Sequence, residues 1–298
     1  MEDNQTDSEP RSFAVYLGVF VILGFAAILI GGAYVHFNVR ARLQKSYDIQ
    51  LETISIPSSA EGIERGRHLV ETLAGCQDCH GQDLGGMVLY EGTLEGRIVA
   101  SNLTGGEGGV GRFYDDPDWA RAILHGVDPE GKPLVYVSSL TLNKLSDDDV
   151  GAMIAYLKTI PPVDNPLPDT SIGILSSLTI FNDPSLLPAE VIDHDAPRPP
   201  APPPGVTAEY GRYLTIACRE CHGPDLTGRP SVVGGGKNLT QSGELGNWTE
   251  LDFMRALKTG YTPEYYQLDP DLMPWRRMGQ LSDEEIRAIW LYLESLRN

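Results

Sequence analysis

The first pattern along the chain is an uninterrupted apolar stretch. Residues 12–35 contain no charged side chain. As a helix they would extend about 36 Å, which exceeds the roughly 30 Å hydrocarbon core of a bilayer. The run is too long for a typical signal-peptide core, and no clear small-residue cleavage site follows it. The pattern therefore predicts an uncleaved transmembrane anchor within residues 1–48, after a disordered acidic tail.

Helical periodicity returns near the end of each half of the remaining chain. Ser146 and Ser282 are predicted N-caps, with Asp149 and Glu285 at the matching capping-box positions. Apolar residues follow both caps at helical spacing. Shorter helices are predicted around residues 61–73 and 208–217. The segments between are rich in Gly and Pro and show little strand alternation. The predicted fold class is therefore all-α.

These helices belong to an internal repeat. Short sequences recur in the same order in both halves, among them Asn102-Leu103-Thr104 with Asn238-Leu239-Thr240 and Leu145-Ser146-Asp147 with Leu281-Ser282-Asp283. The repeat is too long for a solenoid unit. It predicts two tandem domains, a first unit at residues 49–163 and a second unit at residues 207–298.

Two connecting segments complete the predicted organisation. Residues 45–60 are expected to be a tether. Residues 164–206 form a linker whose end, residues 197–205, is mostly proline and should be stiff and extended. The apolar run at residues 172–181 is too short to span a membrane. It is expected to pack on one of the domains.

The chain carries an excess of negative charge. Its formal net charge is −18 over 298 residues, which disfavours nucleic acid as a partner because the phosphate backbone is anionic. A basic protein or a neutral small carrier fits this charge better, since surface charge mainly steers encounter. Plain solubility is the simpler explanation, and the charge alone does not decide between them.

The chemistry of the chain is concentrated in two C-x-x-C-H pentads. They are Cys76, Cys79 and His80 in the first unit and Cys218, Cys221 and His222 in the second, and they contain all four cysteines. This spacing is typical of covalent attachment of c-type haem, in which two thiols bind the porphyrin vinyl groups and the histidine binds iron. A thioredoxin-like pair needs only one C-x-x-C, and zinc motifs are usually much closer together. The sequence predicts two covalently attached haem c groups.

The charges flanking the apolar stretch conflict with the location expected for such a motif. Arg40, Arg42 and Lys45 follow the stretch, whereas only Arg11 precedes it, and the positive-inside rule would then keep the large C-terminal part in the cytoplasm. Haem attachment at this motif normally occurs on the outer side of the membrane. Long domains are exported largely regardless of local charge, so the haem domains are predicted on the periplasmic side.

The repeated residues resemble class I-like cytochrome c domains, most closely those in cytochrome subunits of membrane-bound dehydrogenases. The resemblance covers both units, about two thirds of the chain. It implies that the first and last helices of each unit cross, with Gly66 packed on Tyr156 and Gly211 on Tyr292. It also implies a second axial iron ligand, usually a methionine before the last helix. In the second unit Met273, followed by Pro274, is the expected ligand, with Met278 as its competitor.

The first unit departs from this pattern. Counting back from the last helix places Val137 at the position of Met273, and valine cannot bind iron. The resemblance therefore implies two unequal haems. Either the first haem has no second protein ligand, or another residue supplies it. The candidates are Met87, Met153, His125, His194 and His68.

The expected function is electron transfer. Two haems on an anchored chain would relay electrons between a dehydrogenase or quinol-oxidising complex and an oxidase, reaction centre or soluble cytochrome. No acid–base constellation adjoins Val137, so an enzyme is not expected. The alternative is a redox enzyme subunit that acts on a small molecule at the first haem.

Overall fold

The computed structural model describes residues 10–51, 53–229 and 235–296, so the acidic tail predicted before the anchor lies outside the described residues. Helices dominate these residues, with a small sheet in the first unit. The helices are α1 (Pro10–Leu43), α2 (Ala60–Glu71), α3 (Cys76–His80), α4 (Asp116–Ala120), α5 (Ser139–Leu142), α6 (Asp147–Leu157), α7 (Ile174–Asn182), α8 (Ala208–Leu214), α9 (Ile216–His222), α10 (Glu250–Thr259), α11 (Trp275–Met278) and α12 (Asp283–Ser295). The strands are β1 (Met87–Gly92), β2 (Gly96–Ala100) and β3 (Ser171–Ile172).

Helix α1 contains the apolar stretch. Its residues Phe13–Leu43 are long and apolar enough to cross a membrane. By length and composition alone, such a helix near the N-terminus fits either a membrane anchor or a signal sequence. The side chains along the first part of this helix, such as Phe20 and Ile22, are exposed. Packing against the rest of the protein begins only near its C-terminal end.

The first and last helices of each unit cross at a glycine. Helix α2 packs on α6, and α8 packs on α12. A Cβ at Gly66 would lie 1.8 Å from the carbonyl oxygen of Ala152, and a Cβ at Gly211 would lie 1.8 Å from that of Ala288. Glycine is required because backbone meets backbone at this distance. The closest contacts are therefore one turn earlier than the expected partners, Tyr156 and Tyr292.

Two equivalent polar contacts join the units. Tyr213 on α8 donates a hydrogen bond to Oδ2 of Asp149 at 2.6 Å, and Nε2 of His68 on α2 lies 2.9 Å from Oε1 of Glu285. Both carboxylates are the third residue of a last helix, so the repeat relates the two contacts. Apolar residues of both units also form one continuous buried cluster. The units are thus docked reciprocally.

One of the two predicted capping boxes is incomplete. Ser282 and Glu285 form the complete capping box that the sequence predicts. Ser146 caps α6 through its side chain, but the carboxylate of Asp149 does not bond back to it. Both oxygens of Asp149 accept from Arg65 instead, at 2.9 and 3.0 Å. In the first unit the capping-box carboxylate of Asp149 therefore joins α6 to α2 instead of closing the box.

The sheet was not predicted. Strands β1 and β2 form an antiparallel hairpin after the first pentad, and β3 pairs with β2. The hairpin sequence does alternate in part, and its glycines mark the turn at Gly92 and Gly96. The all-α prediction is therefore correct for the dominant structure but misses this insertion, which has no counterpart in the described part of the second unit.

The expected tether and the expected linker both pack against other parts of the chain. The expected tether packs on the first unit, since Tyr47 donates its backbone N–H to Gly131 at 2.9 Å and Ile54 packs on the core. The expected linker contributes β3 and α7, and α7 packs against the end of α1. Residues 197–205 adopt no helix or strand.

Candidate haem-binding sites

The two pentads form short helices, α3 and α9, that place their cysteines in similar surroundings. None of the four cysteines is in a disulfide. Burial raises the pKa of Cys76 to about 12 and that of Cys218 to about 11. A raised pKa disfavours the thiolate form that a reactive redox pair requires.

The pentad histidines share one hydrogen-bond arrangement. Nδ1 of His80 lies 2.6 Å from the carbonyl oxygen of Ser101, and Nδ1 of His222 lies 2.7 Å from that of Lys237. A carbonyl oxygen only accepts, so Nδ1 carries the proton and Nε2 presents a lone pair. Burial lowers the pKa of both histidines, which keeps the rings neutral. This is the protonation state and orientation that a metal-ligating histidine requires.

The donor set fits haem c better than a bare metal ion. Across the described residues, no cluster of three or more His, Cys, Asp or Glu side chains could hold a metal ion. Each pentad instead offers two neutral thiols and one oriented imidazole. Backbone packs closely on the second ring, because a Cβ at Gly236 would lie 2.6 Å from Nδ1 of His222. Cys76, Cys79 and His80 would hold one haem, and Cys218, Cys221 and His222 the other.

Arg277 connects the two sites. It lies on α11 of the second unit, and its Nε is 2.8 Å from Oδ2 of Asp78 inside the first pentad. Its guanidinium also donates to the carbonyl oxygen of Thr72. The related contact in the opposite direction joins Ser138, just before α5, to Glu220 in the second pentad at 3.1 Å. Each pentad is therefore covered by the short helix region of the other unit.

The structure supports the equivalence of Val137 and Met273. Each lies two residues before a short helix, α5 in the first unit and α11 in the second. Met273 is partly exposed at the edge of the core, whereas Met278 is only 3% exposed inside it. Core packing explains Met278, and Met273 remains the predicted ligand. The two corresponding positions therefore carry a valine in the first unit and a methionine in the second.

Three alternative ligands for the first unit have other roles. His68 faces Glu285 at the contact between the units. Met153 is fully buried on α6 as part of the core, and Met87 lies on β1 with its side chain 43% exposed. These positions give packing or surface explanations for all three.

The other two candidates bond to each other. Nε2 of His194 lies 3.0 Å from the carbonyl oxygen of Ala189, and its Nδ1 lies 2.9 Å from Nδ1 of His125. The carbonyl fixes the proton of His194 on Nε2, so Nδ1 of His125 is the donor between the rings. His125 is buried, and its Nε2 has no hydrogen-bond partner among the residues that the structure describes. Burial and the neighbouring His194 lower the pKa of His125 to about 4.

His125 and Val137 line the same cavity. Its volume is about 1350 Å³, and it extends to Cys221 and to the proline-rich part of the linker. Of the five candidates, only His125 shares this cavity with Val137, but the pentad residues that line it, among them Cys221, belong to the second unit. Val137 itself is apolar and offers no ligand atom.

Sequence reasoning missed two groups of site residues. The carbonyl groups of Ser101 and Lys237 orient the pentad histidines, and backbone atoms leave no residue-type signal. Arg277 also gave no signal, because its position in the repeat is occupied by Thr141 in the first unit.

Oriented histidines beside paired thiols define a haem-binding electron-transport protein of the c-type class, and sequence comparisons agree. Residues 207–293 match the family described as cytochrome c oxidase, cbb3-type, subunit III. The chain is 30% identical over 273 residues to the fructose dehydrogenase cytochrome subunit of Gluconobacter japonicus, covering 80% of this chain and 54% of that protein. It is 28% identical over 252 residues to a dihaem c-type cytochrome of Cereibacter sphaeroides, covering 74% and 81%.

A further relative is the cytochrome c subunit of a quinone alcohol dehydrogenase from Gluconacetobacter polyoxogenes. It is 26% identical over 273 residues, covering 78% of this chain and 56% of that protein. The chain thus spans about half the length of these two dehydrogenase subunits. It contains a cytochrome c family domain and resembles dihaem cytochromes and cytochrome subunits of dehydrogenases.

Proposed function

We propose that the chain is a membrane-anchored dihaem cytochrome that relays electrons on the periplasmic face. Its donor is a dehydrogenase or a quinol-oxidising complex, and its acceptor is an oxidase, a reaction centre or a soluble cytochrome. Helix α1 is the anchor, and residues 49–163 and 207–298 are two cytochrome c domains. The observation that carries the proposal is the same histidine orientation in both pentads, at 2.6 and 2.7 Å from a backbone carbonyl.

The residues of the two sites have distinct roles in holding the haems. Each haem c, when bound, supplies a one-electron redox centre. The cysteines fix its position, and the neutral Nε2 atoms of His80 and His222 are the proximal ligands. Met273 is the second ligand in the second unit, where a thioether favours the higher potential. The second unit therefore lies nearer the acceptor in potential, and the first unit nearer the donor.

The reciprocal docking supports a relay within one chain. Arg277 and the Ser138–Glu220 contact hold each pentad against the other unit. The segment after α1 also packs on the first unit, through Tyr47 and Gly131. Units that moved independently would not require these contacts between them or with the segment after α1.

The proposed redox partners include a larger complex. Two of the relatives are cytochrome subunits of dehydrogenases. In addition, strand β1 is an edge strand with exposed apolar side chains, at Met87, Leu89 and Tyr90. Exposed apolar patches on edge strands are typical of surfaces that bind another protein.

The relay is tested in membranes that contain the chain. Sugar, alcohol and succinate are added in turn, and reduction of the haems is followed by visible absorption before and after oxygen is admitted. The proposal predicts that at least one donor reduces both haems and that oxygen reoxidises them. Cys218→Ser should abolish reoxidation by removing the second site. Haems that respond neither to any donor nor to oxygen would contradict a relay.

One alternative function is a redox enzyme subunit that acts on a small molecule at the first haem, because Val137 stands where the second unit carries Met273. Valine offers no ligand atom, so this position would leave the iron of the first haem open to a small ligand. Carbon monoxide added to the reduced protein distinguishes the two functions. Binding at the first site supports the alternative, whereas an unchanged spectrum at both sites excludes it.

A further inference from the structure

Helix α7 lies alongside the end of α1. A methyl group at Gly32 would lie 3.7 Å from Cδ1 of Ile174, and Nδ1 of His36 lies 2.9 Å from Oγ of Ser177. Val39 and Ile180 are both fully buried in one small cluster. From Gly32 to Val39 α1 rises about 10 Å, and from Ile174 to Ile180 α7 rises about 9 Å. The two helices therefore run side by side in the same direction.

The first turn of α7 thus lies at the level of the uncharged stretch of α1. That stretch ends at residue 35, and the first charged side chain after it is Arg40. The polar end of the pair is marked by Arg42, whose guanidinium binds the carboxylate of Glu190 at 2.5–3.0 Å. Ile174 lies beside Gly32, well before Arg42 along α1 and therefore on the apolar side of this ion pair.

One side of α7 is apolar and exposed. Leu175, Leu178 and Phe181 have relative exposures of 40%, 38% and 38%. The opposite side is buried, at Ser176, Ser177 and Ile180. The buried side makes the contacts with α1 described above, and on the exposed side Phe181 adds an edge-to-face contact with Tyr34, with ring centroids 6.4 Å apart. An exposed apolar helix face beside an apolar transmembrane span is stabilised when it is buried in an apolar environment.

The turn of the β1–β2 hairpin is attached to the same end of α7. Leu175 donates its backbone N–H to Leu94 at 3.1 Å, and Gly173 donates to Glu95 at 2.7 Å. Leu94 is 57% exposed. The carboxylate of the adjacent Glu95 accepts from the backbone N–H of Leu94 at 3.2 Å. The hairpin therefore adds another exposed leucine at the level of the first turn of α7.

From these contacts we propose that α7 and the hairpin turn form a membrane-facing foot, with Leu94, Leu175, Leu178 and Phe181 inserted into the boundary between lipid headgroups and acyl chains. The proposal rests on the anchoring role of α1 proposed above. Its occupant is lipid, because the foot is continuous with the last apolar turns of the span. The foot and the span together would fix the tilt of the first unit against the bilayer, which one helix alone cannot do.

The test uses the full haem-loaded chain in phosphatidylcholine vesicles. A nitroxide is attached to one introduced cysteine, since the pentad cysteines are blocked by haem. Collisions with oxygen, which concentrates in lipid, are compared with collisions with a water-soluble nickel chelate. Leu175→Cys and Leu178→Cys probe the foot. Ala27→Cys reports the span, Asn182→Cys the other end of α7, and Leu251→Cys a remote exposed site.

The foot predicts an oxygen-to-nickel collision ratio at Leu175→Cys and Leu178→Cys that approaches that of Ala27→Cys. This ratio should exceed the ratios at Asn182→Cys and Leu251→Cys several-fold. Nickel-favoured collisions at the foot, with Ala27→Cys still in lipid, would overturn the foot while leaving the anchor intact. Nickel-favoured collisions at Ala27→Cys would overturn both. Protection from both reagents at the foot would show a protein contact and would also overturn the proposal. An unchanged haem spectrum verifies the fold of each variant.

Discussion

Tyr213 donates a hydrogen bond across the boundary between the two units, to Oδ2 of Asp149 at 2.6 Å. His68, at the equivalent position of the first unit, faces Glu285 at 2.9 Å. The first helix of each unit therefore binds the start of the last helix of the other. This reciprocity explains how two sequence repeats become one packed body with adjacent pentads.

Removing the hydroxyl of Tyr213 should destabilise the protein. Burial and the Asp149 carboxylate raise the pKa of Tyr213, so it remains a donor at neutral pH. Tyr213→Phe leaves Asp149 buried with fewer donors, at a cost of about 1–3 kcal/mol. Urea denaturation measures the change. Tyr265→Phe, on a ring that is 78% exposed, is the control and should be nearly neutral; equal effects from the two variants would argue against the contact.

Lowering the pH should weaken the contact between His68 and Glu285. Burial alone would raise the pKa of Glu285, but hydrogen bonds from His68 and the backbone N–H of Ser282 lower it below 4.5. Arg65, at 4.0 Å, and the hydroxyl of Tyr210, at 3.5 Å, also face the carboxylate. A depressed folded pKa stabilises the fold above the unfolded value, and this stabilisation is lost as pH falls from about 4.5 through the folded pKa.

Glu285→Gln isolates this effect. At pH 7 the variant should be less stable than wild type by about 1.5–3 kcal/mol, the usual range for hydrogen bonds to a charged group. The difference should narrow as the pH is lowered from 5 to 3. Denaturation curves across this range provide the measurement. A difference that stays constant with pH would show that the ionisation of Glu285 is unimportant.

The helix crossing in the second unit should not tolerate a side chain. A Cβ at Gly211 would lie 1.8 Å from the carbonyl oxygen of Ala288, so the helices must separate. Gly211→Ala should cost about 1–3 kcal/mol or more, measured as a lower melting temperature. Gly105→Ala is the matched control, because a Cβ there meets no atom within 4 Å. Tolerance of both substitutions would contradict the close crossing.

Haem content should change one site at a time. Cys76→Ser and Cys218→Ser each remove a thiol from one pentad, so each variant should retain about half the covalent haem of wild type. Absorption of the pyridine complex, normalised to protein, measures haem per chain. A wild type with a single haem, or a variant with unchanged content, would contradict two attachment sites.

The sequence predicted the helices well because their signals are local. Ser146 and Ser282 cap helices as expected, since N-cap preference depends on the adjacent backbone. The reciprocal docking was not predictable in this way, because it joins positions such as Tyr213 and Asp149 that are distant in the chain. Asp149 illustrates the difference. Its carboxylate accepts hydrogen bonds from Arg65 and Tyr213 on other helices instead of completing the local capping box.

The site was predictable to the extent that its chemistry has a fixed spacing. The C-x-x-C-H spacing identifies the two thiols and the imidazole of each pentad. Counting back from the last helix locates Met273 and Val137. The orienting carbonyl groups and Arg277 required the fold, because neither backbone atoms nor a lone arginine form a motif. The histidine pair His125–His194 likewise spans unit and linker, and only the structure brings the two rings together.

The inequality of the two haems is the central claim, and a spectroscopic redox titration tests it most directly. Wild type is titrated beside Met273→Ala, with carbon monoxide added at the end. We predict two resolved potentials in wild type, with only the higher one lowered by the substitution and carbon monoxide newly bound at the second site. A single shared potential, or a shift confined to the lower potential, would contradict the assignment of Met273 and Val137.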